Sequence, residues 1–373
     1  MVKRTDRTWV EISGRALRRN LHRLQQLVGP SVAIMPVIKA NAYGHGVDVV
    51  VQALRGIRHW GYGLAYGREA LLLRQHGYAG RLLVLSYWQA DELPRLIKNK
   101  VEVVVWDESS LQQVLSLPRA VRQRAKIHLK IDSGTSRIGF LPNQLSRLAK
   151  RLASQGIQPV AVFSHLAHAE ESGHQRTREQ IKCFTTLVSR LGRPQGRGVH
   201  LACTAAALRY PGARFGLIRP GIGLYGLWPS PATMTETQAK NRQFHLEPVL
   251  QWKSRLSQVK SLPAGVGIGY GSTVVTNRPI KLGIIPVGYA DGYDRRLSNR
   301  SWVMIRGRRV PVVGRICMNL MMVEVTKIPR VRVGDEVVLL GPGITADRLA
   351  SMAQTIQYEI TTRIHGAIPR VLV

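Results

Sequence analysis

Lys39 ends an apolar run and opens into Ala40-Asn41-Ala42-Tyr43-Gly44-His45-Gly46. An amine at the C-terminal mouth of a buried strand is stripped of water, which lowers its pKa and exposes it as a nucleophile. The glycines just beyond leave backbone N–H groups free to approach an anion closely. A lysine able to form a Schiff base beside an anion-accepting loop suits a phosphorylated aldehyde. A buried strand that simply ends in a solvated lysine is the plain alternative, and for an arbitrary lysine it is the better one. The ends of other apolar runs also carry polar groups: Lys130 with Arg137, then His165, then Cys203-Thr204, then Arg219-Pro-Gly-Ile222.

Elements that would position these groups are legible in the periodicity. Leu17, Leu21, Leu24 and Leu27 mark one helix face, with Ser13 placed to cap it. From Trp9 to about residue 227, helical patterns alternate with the runs Val32–Ile38, Trp60–Ala65, Arg81–Tyr87, Val101–Trp106, Ile127–Ile131, Val160–Phe163, Val199–Cys203 and Leu217–Leu224. Near-continuous apolar runs suit strands buried on both faces of a parallel sheet. About eight βα units predict a TIM-like (β/α)8 barrel, at whose C-terminal strand ends an active site would gather. A doubly wound sheet competes, but its phosphate fingerprint after the first strand is missing. After Trp228-Pro-Ser-Pro231, short β-branched segments (Lys253–Val259, Lys281–Val287, Val303–Ile305, Val310–Val313, Met321–Val325, Glu336–Leu340) predict a mostly antiparallel β domain. The expected division is a barrel over 1–240 and a β-rich domain over 241–373.

Length and composition bound the function. A chain of 373 residues, 45% hydrophobic, reads as about two globular domains. The first residues lack the apolar core of a secretory signal, and no apolar stretch reaches membrane-spanning length. Cys183, Cys203 and Cys317 are far apart and without metal-ligand spacing, which fits a reduced cytoplasm and no metal. The balance of 54 Lys and Arg against 22 Asp and Glu gives a net charge of +32. These cations are dispersed at helix-face spacing (Arg18, Arg19, Arg23; Arg119, Arg122, Arg124, Lys126) with no nucleic-acid-binding motif. They predict a solvated basic surface, with adventitious rather than dedicated binding of polyanions.

Val37–Gly46 closely resembles the cofactor-lysine motif of alanine racemases. Further blocks follow in order: Thr8–Ile12, His128–Gly139, Phe163–Ala167, Arg219–Gly226, Pro263–Gly271, Pro286–Arg295, Gly314–Met318 and Tyr358–Ile360. On these blocks nearly the whole chain resembles alanine racemase, a fold-type III amino-acid racemase dependent on pyridoxal 5'-phosphate.

The resemblance implies the roles of individual residues. Lys39 matches the Schiff-base lysine and one catalytic base, and Tyr270 the second base, contributed by the partner subunit of a homodimer. Racemisation removes a proton from Cα on one face and returns it on the other, so a single base is insufficient. Through an external aldimine the pair would interconvert L- and D-alanine, supplying D-alanine for peptidoglycan. Tyr43, Thr204, Gly221 and Ile222 match phosphate-holding positions. Arg137 matches an arginine near the cofactor's phenolic oxygen, and Lys130 a lysine that is carbamylated in some relatives and orients it. His165, His200, Arg219 and Tyr289 match a hydrogen-bonded chain behind the tyrosine. Arg219, a permanent cation facing the pyridine nitrogen, disfavours its protonation and weakens the ring as an electron sink, which suits racemisation better than transamination. Met318 matches a backbone donor to the substrate carboxylate.

Departures fall at Asn319, where many relatives have Asp, and at Ala367, where they have Arg. His365 and Gly366 match a segment that helps shape the side-chain pocket in this family, so the resemblance leaves a serine or broad-spectrum amino-acid racemase as the alternative. A non-enzymatic cofactor carrier, as in single-domain relatives, has no use for a second base. A polyanion-binding protein rests on the charge alone.

Overall fold

The computed structural model describes residues 7–173, 175–190 and 198–373. It divides into two compact units: residues 18–40 with 55–247, and residues up to 17 with 41–54 and 248–373.

In the first unit the apolar runs form parallel strands. Tyr62–Tyr66, Leu82–Tyr87, Val101–Val105, Ile127–Lys130, Ala161–Phe163 and Val199–His200 make a six-stranded sheet in chain order, and Ala33–Ile34 pairs with Leu217–Ile218. Two links join these sheets. Val37 bridges Gly63, and Cys203 bridges Arg219, with Ile38 N–H donating to Gly63 O at 2.9 Å and Arg219 N–H to Ala202 O at 2.9 Å. The result is a closed ring of eight parallel strands, the expected barrel. Every expected strand is present, though three runs yield two-residue strands, Ala33–Ile34, Val199–His200 and Leu217–Ile218. In the first and last of these, Pro36 and Pro220 lack the N–H that would continue the ladder, and the run from Leu217 turns at Ile222–Tyr225 into a 3-10 helix.

The helices around the barrel account for the dispersed charge. Along Leu145–Ser154, Leu145, Leu148 and Leu152 are buried, while Arg147 and Lys150 face water. Gly14–Val28 is the helix expected at the start of the chain, and Ser13 Oγ accepts from Ala16 N–H at 3.2 Å.

The second unit is mostly antiparallel, as expected. Its largest sheet has six strands, Arg308–Pro311, Trp302–Ile305, Glu336–Leu340, Leu250–Arg255, Thr8–Ile12 and Arg370–Leu372, of which only the last pair is parallel. Thr8–Ile12 therefore belongs to this sheet, and the expectation that the barrel runs from residue 1 is corrected at its amino end. The strand is only five residues long, with Trp9, Val10 and Ile12 buried and no strict alternation to fix its sheet, and its partners lie some 240 residues away or more (Thr8 opposite Ser254). The run Lys253–Val259 is also two strands: it breaks at Leu256-Ser257, and Gln258–Leu262 joins Ile280–Ile285 and Met321–Glu324 in a separate sheet.

Beyond Lys39 the backbone makes a left-handed helical turn, with Ala40, Asn41, Ala42 and Tyr43 all at φ between 52 and 55°. Each non-glycine residue in that region costs roughly 1–2 kcal/mol, so the turn needs local support. Ala40 N–H donates to Glu69 Oε1 at 2.8 Å. Asn41 accepts twice, through Oδ1 from Val47 N–H at 2.8 Å and through its carbonyl from Gly46 N–H at 2.9 Å. Gly44 follows at φ +83°, where a Cβ would lie 1.9 Å from the Thr361 carbonyl oxygen. Gly44→Ala should therefore cost about 2–4 kcal/mol of stability. Gly265→Ala, at φ +82° with open space around it, should cost only about 1–2 kcal/mol. Urea unfolding compares the two, and equal losses would show that the close approach to Thr361 is immaterial.

Candidate functional site

The C-terminal ends of the barrel strands bring Lys39, Lys130, Arg137, His165, Thr204 and Arg219 to one end of the first unit. Lys39 is exposed at the mouth, yet surrounding protein displaces enough water to lower its pKa. Arg137 pushes the same way and Glu69 opposes. Lys130 is buried and pushed down to about 7, first by burial and then by Arg219, Arg137 and Lys39. His165 is held well below its ordinary value by burial and by the same four cations, Arg219, Arg137, Lys130 and Lys39. It is a neutral imidazole at neutral pH.

Arg219 is fixed by three acceptors. Its Nη1 contacts His200 Nδ1 at 2.8 Å, and its Nη2 donates to the carbonyls of Ser164 at 2.7 Å and Leu201 at 2.9 Å. Burial lowers its pKa to about 10, so it remains charged at neutral pH. Asp132 is a turn residue. Its carboxylate accepts from the N–H groups of Gly134, Thr135, Ser136 and Arg137 at 2.9, 2.7, 3.1 and 2.8 Å. Burial opposes its ionisation, but these donors outweigh it and hold the pKa low. The loop that carries Arg137 is thereby tied to the strand that carries Lys130. Thr204 Oγ1 accepts from Gly221 N–H at 3.1 Å and Gly223 N–H at 3.3 Å. A Cβ on Gly223 would lie 2.4 Å from Thr204 Cγ2, so only glycine permits this approach.

Tyr43, Tyr270, Tyr289, Met318 and Asn319 belong to the second unit. Tyr43 closes the left-handed turn, its ring 6.2 Å from that of Tyr358. Tyr289 and Met318 are neighbours: Tyr289 N–H donates to Cys317 O at 3.0 Å and Ala290 N–H to Met318 O at 2.9 Å. Tyr270 is 71% exposed between Gly269 and Gly271, both at positive φ. A Cβ on Gly271 would meet Arg315 Nη1 at 3.0 Å, so this loop packs beside Arg315, four residues before exposed Asn319.

The family model described as alanine racemase, N-terminal domain, matches residues 12–229, and that of the C-terminal domain matches residues 249–372. The chain belongs to the alanine racemase family. It is 39% identical to the alanine racemase of Symbiobacterium thermophilum, over 97% of this chain and 96% of that one. Identity to the enzyme of Carboxydothermus hydrogenoformans is 38%, over 98% and 99%. Among solved structures, alanine racemase of Clostridium difficile 630 superposes with a TM-score of 0.91 at 33% identity, covering 99% of this chain and 96% of that one. The enzyme of Streptomyces lavendulae gives 0.89 at 34%, covering 99% and 97%.

As a member of this family the chain is a pyridoxal-phosphate-dependent isomerase that interconverts L- and D-alanine, and the serine or broad-spectrum alternative is not favoured. The donor set fits the cofactor. Lys39, Lys130, Arg137 and Arg219 repel one another, and the one carboxylate in their loop, Asp132, is occupied by backbone donors. A dianion bearing an aldehyde would relieve the repulsion and engage the amine.

The sequence reading passed over Glu102 and His128. Both are buried, and they continue the contacts of Arg219 and His200 across the barrel. His128 Nδ1 lies 3.1 Å from His200 Nε2, and His128 Nε2 lies 2.7 Å from Glu102 Oε2. The signal was there: a carboxylate inside Val101-Glu-Val-Val-Val105 is a buried charge that demands partners.

Lys130 makes a pH prediction. A folded-state pKa of about 7, below the ordinary ammonium value, means that unfolding takes up a proton between about pH 7 and the unfolded pKa. The destabilisation is full below pH 7 and fades as pH rises through that window. In carbon-dioxide-free buffer, Lys130→Met should be more stable than the parent at pH 7, and the difference should shrink by pH 10. Urea unfolding across that range reads it, and a pH-independent difference would refute the buried-cation assignment.

Proposed function

We propose that Lys39 and Tyr270 are the two proton-transferring bases of this racemase. The chain would act as a cytoplasmic homodimer, its 241–373 domain supplying Tyr270 to the partner subunit's barrel. The observation that carries the reading is the barrel-end cluster of Lys39, Lys130, Arg137 and Arg219. It supplies an amine, an anion site and a fixed cation, while the imidazole among them, His165, is held well below its ordinary pKa and is a weak base. Tyr270, exposed on a glycine-framed loop, is a phenol with room to act on another molecule. Exposed Val275, Met318 and Leu320 in the same unit offer apolar surface for a second copy to cover.

Pyridoxal phosphate, when bound, supplies an aldehyde for the amino group of alanine and an electron sink that acidifies Cα–H. Thr204 Oγ1 already accepts two N–H bonds, so its own proton is left for a phosphate oxygen. Ile222 opens a 3-10 turn whose first N–H groups have no carbonyl within it, and its N–H would join the Thr204 hydroxyl and the Tyr43 hydroxyl in the phosphate site, with Gly221, bonded to Thr204 Oγ1, setting the turn. Arg219, charged and held by three acceptors, would keep the pyridine nitrogen unprotonated, which favours proton return over transamination. Arg137 would bind the phenolic oxygen, oriented by Lys130, whose lowered pKa leaves neutral amine for carbamylation. Met318 N–H would take the substrate carboxylate. Lys39 Nζ would then move the Cα proton on one face and Tyr270 Oη on the other, supported by His165, His200 and Tyr289. Asn319 leaves the entrance without the negative charge of an aspartate.

In deuterated water with cofactor supplied, the protein should interconvert L- and D-alanine with solvent deuterium at Cα, faster than it does serine. Tyr270→Phe should lose about 10²–10⁴-fold in racemisation while keeping the cofactor's visible absorption. Undiminished two-way racemisation in that variant would remove Tyr270 from the mechanism.

A further inference from the structure

Arg219 sits at one end of a buried chain of contacts that runs away from Lys39. The order is Arg219 Nη1 to His200 Nδ1 at 2.8 Å, His200 Nε2 to His128 Nδ1 at 3.1 Å, and His128 Nε2 to Glu102 Oε2 at 2.7 Å. The two ends are chemically one-sided: a guanidinium only donates, and a carboxylate only accepts. His200 Nδ1 must therefore present a lone pair to Arg219, and His128 Nε2 must carry a proton toward Glu102. Between them stands one contact, and for two neutral imidazoles it is then fixed. His200 Nε2–H donates to His128 Nδ1. No other neutral arrangement satisfies both ends.

Glu102 is anchored as a charge. Its side chain is 2% exposed, and Arg81 grips both oxygens, Nε to Oε1 at 2.9 Å and Nη2 to Oε2 at 3.1 Å. Arg81 is itself braced over the Trp60 ring, its guanidinium carbon 3.9 Å from the centroid. Burial opposes ionisation of Glu102, but the His128 hydrogen bond and the Arg81 guanidinium outweigh it and hold the carboxyl below its usual range. Both imidazoles are buried, and burial together with the nearby Arg219 charge keeps them neutral, the pull of Glu102 on His128 notwithstanding.

We propose that Glu102 is a positioning residue for Arg219. Through His128 and His200 it fixes the direction of every proton in the chain, so that Arg219 always meets an acceptor and holds one orientation. The consequence for catalysis rests on the reading that Arg219 faces the cofactor's pyridine nitrogen; the proton directions do not.

The test begins on cofactor-free protein labelled with 15N-histidine. Two-bond 1H–15N spectra between pH 6.5 and 8.5, assigned with single histidine variants, should show His128 and His200 as neutral Nε2–H tautomers. An Nδ1–H tautomer or an imidazolium at either position overturns the proposal. Glu102→Gln keeps the volume but leaves one oxygen to serve both Arg81 and His128. It should mix the tautomers of both histidines and lower kcat about tenfold or more, with KM for alanine within about threefold. Glu102→Asp should recover part of both. A folded Glu102→Gln with wild-type tautomers and kcat overturns the proposal. Should that variant fail to fold, the wild-type spectrum decides alone. A failure of the Lys39/Tyr270 mechanism would leave these spectra unchanged, so the two readings fall separately.

Discussion

The constraint on which the rest of the site depends is the gathering of like charges at the ends of the barrel strands. Burial lowers the proton affinity of Lys39, Lys130 and Arg219, the Arg137 charge pushes both lysines further down, and Glu69 and Asp132 offset this only in part. Two unit charges about 7 Å apart repel by roughly 2 kcal/mol at an effective dielectric of about 20. A flexible scaffold would relax by letting these side chains swing into water. The barrel limits this: Lys130 and Arg219 are buried on strands pinned on both sides, and the loop bearing Arg137 is tied down by Asp132. The repulsion is thus held ready for an anionic partner, and it adds to burial in lowering the proton affinity of Lys39.

Arg219 shows how the fold handles a buried charge. The guanidinium is given two carbonyls and an imidazole lone pair, and among the described residues no carboxylate hydrogen-bonds to it. A carboxylate in direct contact would quench the field it projects toward the mouth. Placing Glu102 two imidazoles away keeps that field while still ordering the protons between them. Neutral imidazoles suit the link because each accepts at one nitrogen and donates at the other. The stacking of Phe163 on His200, with centroids 4.7 Å apart and planes at 9°, stops the ring from turning.

The second unit contributes by a different physics. Its candidate groups sit on tight turns rather than at strand ends, and glycine permits those turns. Gly269 and Gly271 flank Tyr270, and a Cβ on Gly288 would strike the carbonyls of Cys317 and Met318 at 2.2 and 2.4 Å. The left-handed turn from Ala40 to Tyr43 belongs to the same class. It carries backbone strain that local hydrogen bonds offset, and it reverses the chain within a few residues of Lys39.

The sequence by itself determined the barrel, the antiparallel domain and the groups at the strand ends. Buried parallel strands leave near-continuous apolar runs, and a lysine or arginine at the end of such a run stands out. It did not determine which sheet Thr8–Ile12 joins, because a short strand with no strict alternation fits any partner and the pairing spans most of the chain. Nor did it split Lys253–Val259, where β-branched texture continues through a change of sheet. The left-handed turn was hidden as well, since Ala40, Asn41 and Ala42 read as ordinary helix formers or loop residues. Glu102 and His128 looked like isolated polar residues on two strands. Only the closure of the barrel, which brings residues 102, 128, 200 and 219 into hydrogen-bond distance, decided that they form one directed chain ending at Arg219.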